Sequence, residues 1–149
     1  MVLTGLMLAL LAAPASAPDP LAAANHAFAA GDWDHAARLY RAVVQAHPEQ
    51  ASSWARLGRS LREAGQAREA LPALQRAEQL GFAPALMQYQ RALAHAHLGE
   101  KDAALALLRP LVAEGFGPPP GLPAVNTDPA EPADYNASIM SWVHDRLGD

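Results

Sequence analysis

His95 and His97 are the closest approach to a metal-binding signal in this sequence. Two residues apart on a helix, side chains point about 200° away from each other, so the pair cannot close on one ion. The spacing instead puts His95 in an interface and His97 toward a groove or solvent. His26 and His35 have no nucleophile beside them, and Asp32 and Asp34 flank Trp33 where carboxylates would complement a helix start. The sequence holds no HExxH, GxSxG or GxxxxGK[ST]. It has no cysteine, which removes disulfides, thiolate nucleophiles, cysteine-ligated zinc and cysteine lipidation. These residues point to no catalysis, no metal and no cofactor. What remains is binding chemistry. Arg59 and Arg62 are three apart, on one face of a helix, and could hold a carboxylate by fork-shaped hydrogen bonds. Glu63, Arg68 and Glu69 nearby also give the stretch the composition of an ordinary solvated helix surface.

The elements that must position these side chains are helical. Of 149 residues, 35 are alanine and nine aromatic, a composition that favours helix over strand. A formal charge of −4 provides no polybasic field, which argues against binding nucleic acid.

No charged residue precedes Asp19, and Val2 to Ala13 is an apolar run of twelve followed by small residues. A membrane span needs about 20 apolar residues. The run is therefore expected to be a signal peptide, residues 1–15, cleaved near Ala15. No basic residue precedes its apolar core, as one normally would. The expectation is an exported chain, periplasmic or secreted by a bacterium, with no stable membrane span after cleavage.

Gly31, Gly65 and Gly99 are spaced by 34 residues, as are Ala36, Ala70 and Ala104, and also Tyr40, Leu74 and Leu108. Gly81-Phe82 returns as Gly115-Phe116 at the same interval. Shared periodicity across several columns marks a repeat array. Each unit reads as helix, glycine turn, helix, with the glycine satisfying loose carbonyls in a left-handed conformation. Trp54, Leu57 and Leu61 form one helical stripe, and Leu71, Leu74 and Ala77 a second. The middle copy has W-x2-L-G-x2-L at Trp54, Leu57, Gly58 and Leu61, then Gly65, Ala70, Leu74 and Ala77. It resembles the tetratricopeptide repeat. The resemblance covers residues 17–116, as units 17–50, 51–84 and 85–116. The outer copies depart from it at Pro20, Ala23 and Ala27, and at Gln88, Arg91 and His95. It implies an all-α helix-turn-helix solenoid of three hairpins.

The resemblance also implies that the first helices of the units line a concave surface that binds peptides. The matching positions that would carry such binding are Asn25, Phe28, Arg59, Arg62, Leu86, Tyr89 and His97. Two arginines beside apolar side chains suit an extended peptide bearing a carboxylate. The carboxylate-clamp sub-class of co-chaperones is excluded, because its five clamp positions read Leu21, Asn25, Arg59, Leu86 and Gln90 here and only Asn25 agrees.

Residues 117–133 contain six of the thirteen prolines and read as a connector. Tyr135, Ile139, Trp142, Val143 and Leu147 then mark an apolar helical face over 134–149, expected to cap the open end of the array. The resulting expectation is a non-catalytic, exported protein–protein interaction adaptor with a protein or peptide partner. The alternatives are an accessory docking subunit for a separate envelope enzyme and a homo-oligomeric structural module.

Overall fold

A computed structural model describes residues 17–116. They form six helices: α1 (Pro20–Ala29), α2 (Trp33–Ala46), α3 (Ala51–Glu63), α4 (Ala67–Gln79), α5 (Pro84–His97) and α6 (Lys101–Ala113). No strand occurs among the described residues. The expected signal, connector and closing helix lie outside them. Each helix packs on its neighbours in the chain, and α3 also reaches α5. This is the all-α solenoid of three hairpins that the resemblance implied.

The helix ends follow from the glycines. Gly31, Gly65 and Gly99 have φ of 70°, 80° and 73°, a region that side-chain-bearing residues rarely adopt. The next residue then returns its N–H to a carbonyl five back, as in Asp32 to Ala27 at 3.0 Å and Gln66 to Leu61 at 2.8 Å. At α1, Asp19 caps Leu21 N–H at 3.1 Å and Pro20 occupies the first turn, where its missing N–H costs nothing. Asp32 caps α2 through His35 N–H. The start of α5 was not legible in the residue types: Ala83 takes a left-handed φ of 36° directly before Pro84.

In the middle hairpin a small residue, Gly58, faces a large one, Leu74, and the other hairpins bury residues of the same size classes at the equivalent places. Ala24, Gly58 and Ala92, again 34 apart, are buried on the first helices. Tyr40, Leu74 and Leu108 are buried on the second. A Cβ added at Gly58 would lie 2.5 Å from both Cγ and Cδ2 of Leu74 and 3.2 Å from its backbone nitrogen. Ala36, Ala70 and Ala104 are fully buried and allow the same approach from the partner helix. The resulting core has two parts. One joins the first two hairpins and takes in Met87 of the third; the other gathers Tyr89, Ala92, Leu93, Leu108 and Leu111. Leu86 packs against both.

Polar ties add register between hairpins. Arg41 of α2 binds Glu69 of α4, Arg91 of α5 binds Glu78 of α4 at 2.7 Å, and Arg68 of α4 binds Glu100 at 2.8 Å. Arg91–Glu78 is part-buried, and the two more exposed pairs are worth about 0–1 kcal/mol each, so packing carries most of the stability.

Gly58→Ala tests the close approach. Helix propensity alone would stabilise the variant by about 0.8–1 kcal/mol. The overlap with Leu74 should outweigh that gain and leave a net loss of about 1–2 kcal/mol in urea unfolding. Gly58→Ala combined with Leu74→Ala should cost less than the two single losses added together. A Gly58→Ala chain as stable as the original would show that the hairpin has slack.

Candidate functional site

The first helices of the three hairpins contribute to one face, and a pocket of about 170 Å³ opens in it. Phe28 comes from α1; Ala55, Arg56 and Arg59 from α3; Leu86, Met87 and Gln90 from α5; Phe82 joins from the turn before α5. Three of these eight side chains are polar, and the rest make an apolar recess. A cavity of about 150 Å³ holds a benzene molecule, so this one suits a single ring or branched side chain.

Phe28 organises the charged edge. Its ring meets Trp33 edge-on at 5.4 Å and Tyr40 edge-on at 6.1 Å. The Arg59 guanidinium carbon lies 5.2 Å from the Phe28 centroid and 5.7 Å from that of Trp33. Arg56 lies 5.8 Å from Phe28, and its guanidinium donates to Asn25 Oδ1 and, at 3.4 Å, to Tyr40 Oη. Two cations therefore share one ring, an arrangement in which the ring's negative face offsets part of their repulsion. Arg56 is exposed, and its described hydrogen-bond partners are neutral.

The residues expected in the groove are divided by the structure. Phe28, Arg59 and Leu86 line the pocket. Asn25 is half-buried beside it, accepting from Tyr40 Oη at 2.6 Å as well as from Arg56, so it positions Arg56. His97 is exposed at the end of α5.

Two expectations require correction. Arg62 is 2% exposed and does not present its charge to the groove. It lies inside the α3–α5 contact, donating from Nε to Gln90 Oε1 at 3.1 Å and from Nη2 to Glu63 at 2.8 Å. Tyr89 is 1% exposed and belongs to the core of the third hairpin, 5.8 Å from the Phe116 ring.

The repeat explains the first correction. Phe28 and Arg62 occupy equivalent places, 34 apart, and so do Arg56 and Gln90. In each case the first residue reaches across to the second in the next hairpin. Phe28 meets Arg56 as a ring under a cation; Arg62 meets Gln90 as a hydrogen bond. Arg56 was missed because residue type alone does not distinguish it from Arg62. Both stand three residues from Arg59, on opposite sides.

Two titrating groups are displaced from their ordinary values. Desolvation, then the nearby Arg62 charge, hold the His97 imidazole below its ordinary pKa of 6.5, with Glu63 opposing. Hydrogen bonds from His95, at 2.7 Å, and then from Arg68 hold the Glu100 carboxyl below its usual value. No group of three or more His, Cys, Asp or Glu that could hold a metal occurs among the described residues.

The family model described as tetratricopeptide repeat matches this chain twice, over residues 21–81 and 55–115. The two matches are offset by the 34-residue period and together cover most of the chain. No curated protein matches it.

Gln90→Leu should cost about 2–3 kcal/mol in chemical unfolding, because it leaves the buried Arg62 Nε–H without its acceptor. Adding Arg62→Met should restore most of that loss by removing the charge as well. An unaffected Gln90→Leu chain would place Arg62 in solvent. The His97 shift sets a pH dependence. The unfolded chain takes the proton at the higher pH, so stability falls as pH drops below the ordinary value of 6.5. His97→Gln should flatten melting temperature across that window. The Glu100 contribution is lost lower, through and below the usual carboxylate range near pH 4.5, and His97→Gln should leave that part in place.

Proposed function

The chain belongs to the tetratricopeptide repeat family, and from that premise we propose that it is a non-catalytic, exported adaptor that binds a protein or peptide segment in the groove of its first helices. Tetratricopeptide repeats generally mediate protein–protein interaction. The observation that carries the reading here is the pocket edge. Arg56 and Arg59 stand over Phe28 beside a recess the size of one apolar side chain. That pairing suits a segment in which a ring or branched aliphatic side chain enters the recess and a neighbouring carboxylate meets a guanidinium. A negatively charged ligand would be drawn to this edge by long-range attraction as well as by contact.

The apolar run of residues 2–13 supports export, to a periplasm or out of the cell. No helix of the described residues is long and apolar enough to cross a membrane.

A photo-reactive residue at position 59 tests the groove in cells that make the protein, with position 76, exposed on α4, as its control. A discrete protein adduct should form from position 59 and not from position 76. Arg56→Ala should cut its yield roughly tenfold, as expected from losing one charge-assisted hydrogen bond of about 1.5–3 kcal/mol. Equal adducts from both positions, or none from position 59, would contradict the adaptor reading.

A further inference from the structure

The formal charge of this chain is unevenly placed. Residues 117–149 contain Asp128, Glu131, Asp134, Asp145 and Asp149 against Arg146 alone, so they carry the entire −4 and residues 1–116 sum to zero. Beside the groove lies the opposite charge: Arg56 and Arg59 stand over the Phe28 ring, and the Glu63 carboxylate is shared between Arg59, at 4.0 Å, and the buried Arg62. The acidic segment also contains the combination the groove suits. Asp134 directly precedes Tyr135, placing a carboxylate next to a ring.

We propose that the groove is occupied by the chain's own segment around Asp134-Tyr135, with the Tyr135 ring in the pocket between Phe28, Phe82, Leu86 and Met87 and the Asp134 carboxylate on Arg56. The proposal rests on the groove reading above and adds its resting occupant. The fit is chemical at three points. The recess is of ring size. Gln90, one of its three polar lining residues, spends its carbonyl on Arg62, leaving the amide nitrogen as a group that could donate to a phenol oxygen. Arg56 is exposed and makes its described hydrogen bonds to neutral groups, so a carboxylate would give it a charged partner.

Reach does not prevent it. The described chain stops at Phe116 on the third hairpin, and seventeen residues separate it from Asp134. Extended, they span up to about 55 Å. A 13-residue helix is about 20 Å long and neighbouring helices lie about 8–10 Å apart, so a path from the end of α6 to Arg56 needs about 40 Å. A tether of that kind gives an effective concentration in the millimolar range. The segment would then exclude weak ligands, and a true partner must displace it. This use of the segment differs from capping the open end of the array.

The test exploits a scarcity of amines: the chain has one lysine, Lys101. In the full chain carrying Arg56→Lys, a zero-length carbodiimide reagent couples the amine introduced at position 56 to a carboxylate only where the two are in contact. The proposal expects an amide between positions 56 and 134. In a mixture of ¹⁵N-labelled and unlabelled chains, mass spectrometry should find it within one chain. Tyr135→Ala should lower its yield roughly tenfold, matching the loss of one buried anchor. Arg76→Lys should give no coupling to position 134. Coupling no greater than from position 76 overturns the proposal, as does coupling chiefly between labelled and unlabelled chains, which would make the occupant a second copy.

A second measurement leaves the groove native. The paired change Asp134→Asn, Tyr135→Ala should speed amide hydrogen exchange in α3 and α5, and unchanged exchange overturns the proposal. If coupling is absent while the adduct from position 59 persists, the groove reading stands and self-occupancy alone falls. If both are absent, the groove reading falls as well.

Discussion

Everything in this molecule depends on how closely the two helices of a hairpin can approach. A single hairpin cannot bury its own apolar face, so stability must come from tight pairs that stack. In the middle unit the close approach is made where Gly58 lies buried on the first helix against Leu74 on the second, and Ala24 with Tyr40 and Ala92 with Leu108 are buried at the equivalent places. At Gly58 even one methyl group would overlap Leu74. That approach fixes the rotation of α3 about its axis. The rotation in turn decides which side chains of α3 face α4, which face α5 and which face the groove. The make-up of the pocket edge is a consequence of packing geometry.

The same geometry produces a second regularity, between hairpins. The side chain one turn before each glycine stop on α1 and α3 crosses to a fixed place on the first helix of the next unit. In the first crossing an aromatic ring supports a cation, which stays exposed and available. In the second a buried guanidinium is held by an amide. One contact leaves a cation exposed at the pocket edge and the other is a structural tie. An arginine is costly to bury, and the structure offsets that cost with the Gln90 acceptor and the Glu63 carboxylate. The array therefore holds α3 against α5 with a polar contact that has few competing arrangements.

Much of this was legible in the residues. The glycine column predicted the first-helix ends because almost nothing else adopts φ near 70–80°. The alanine column predicted the close helix pairs because only small side chains permit them. Phe28, Arg59 and Leu86, which the resemblance to the repeat family implied for one surface, line one pocket. Arg62 and Tyr89 do not, for a common reason. Along α3, Arg56, Arg59 and Arg62 advance by three residues each, so they drift around the helix. Which of them turns inward depends on where α5 lies, and no local property of the sequence encodes that. Tyr89 failed likewise, because a ring at a helical stripe serves a core or a groove equally well. The left-handed Ala83 carried no signal, since alanine is a poor choice for that conformation.

These arginines, alike in type and spacing, have divided roles fixed by the two inter-hairpin contacts. Side-chain NMR of the arginine Nε–H groups in the full chain tests that division most directly, using a blocked Asp-Tyr dipeptide as the titrant. The Arg62 resonance should exchange slowly with solvent and stay in place as the dipeptide is added, because its proton is committed to Gln90. The Arg56 and Arg59 resonances should move together along one binding curve. Movement of Arg62 with the others, or fast exchange of its proton, would contradict the division of roles.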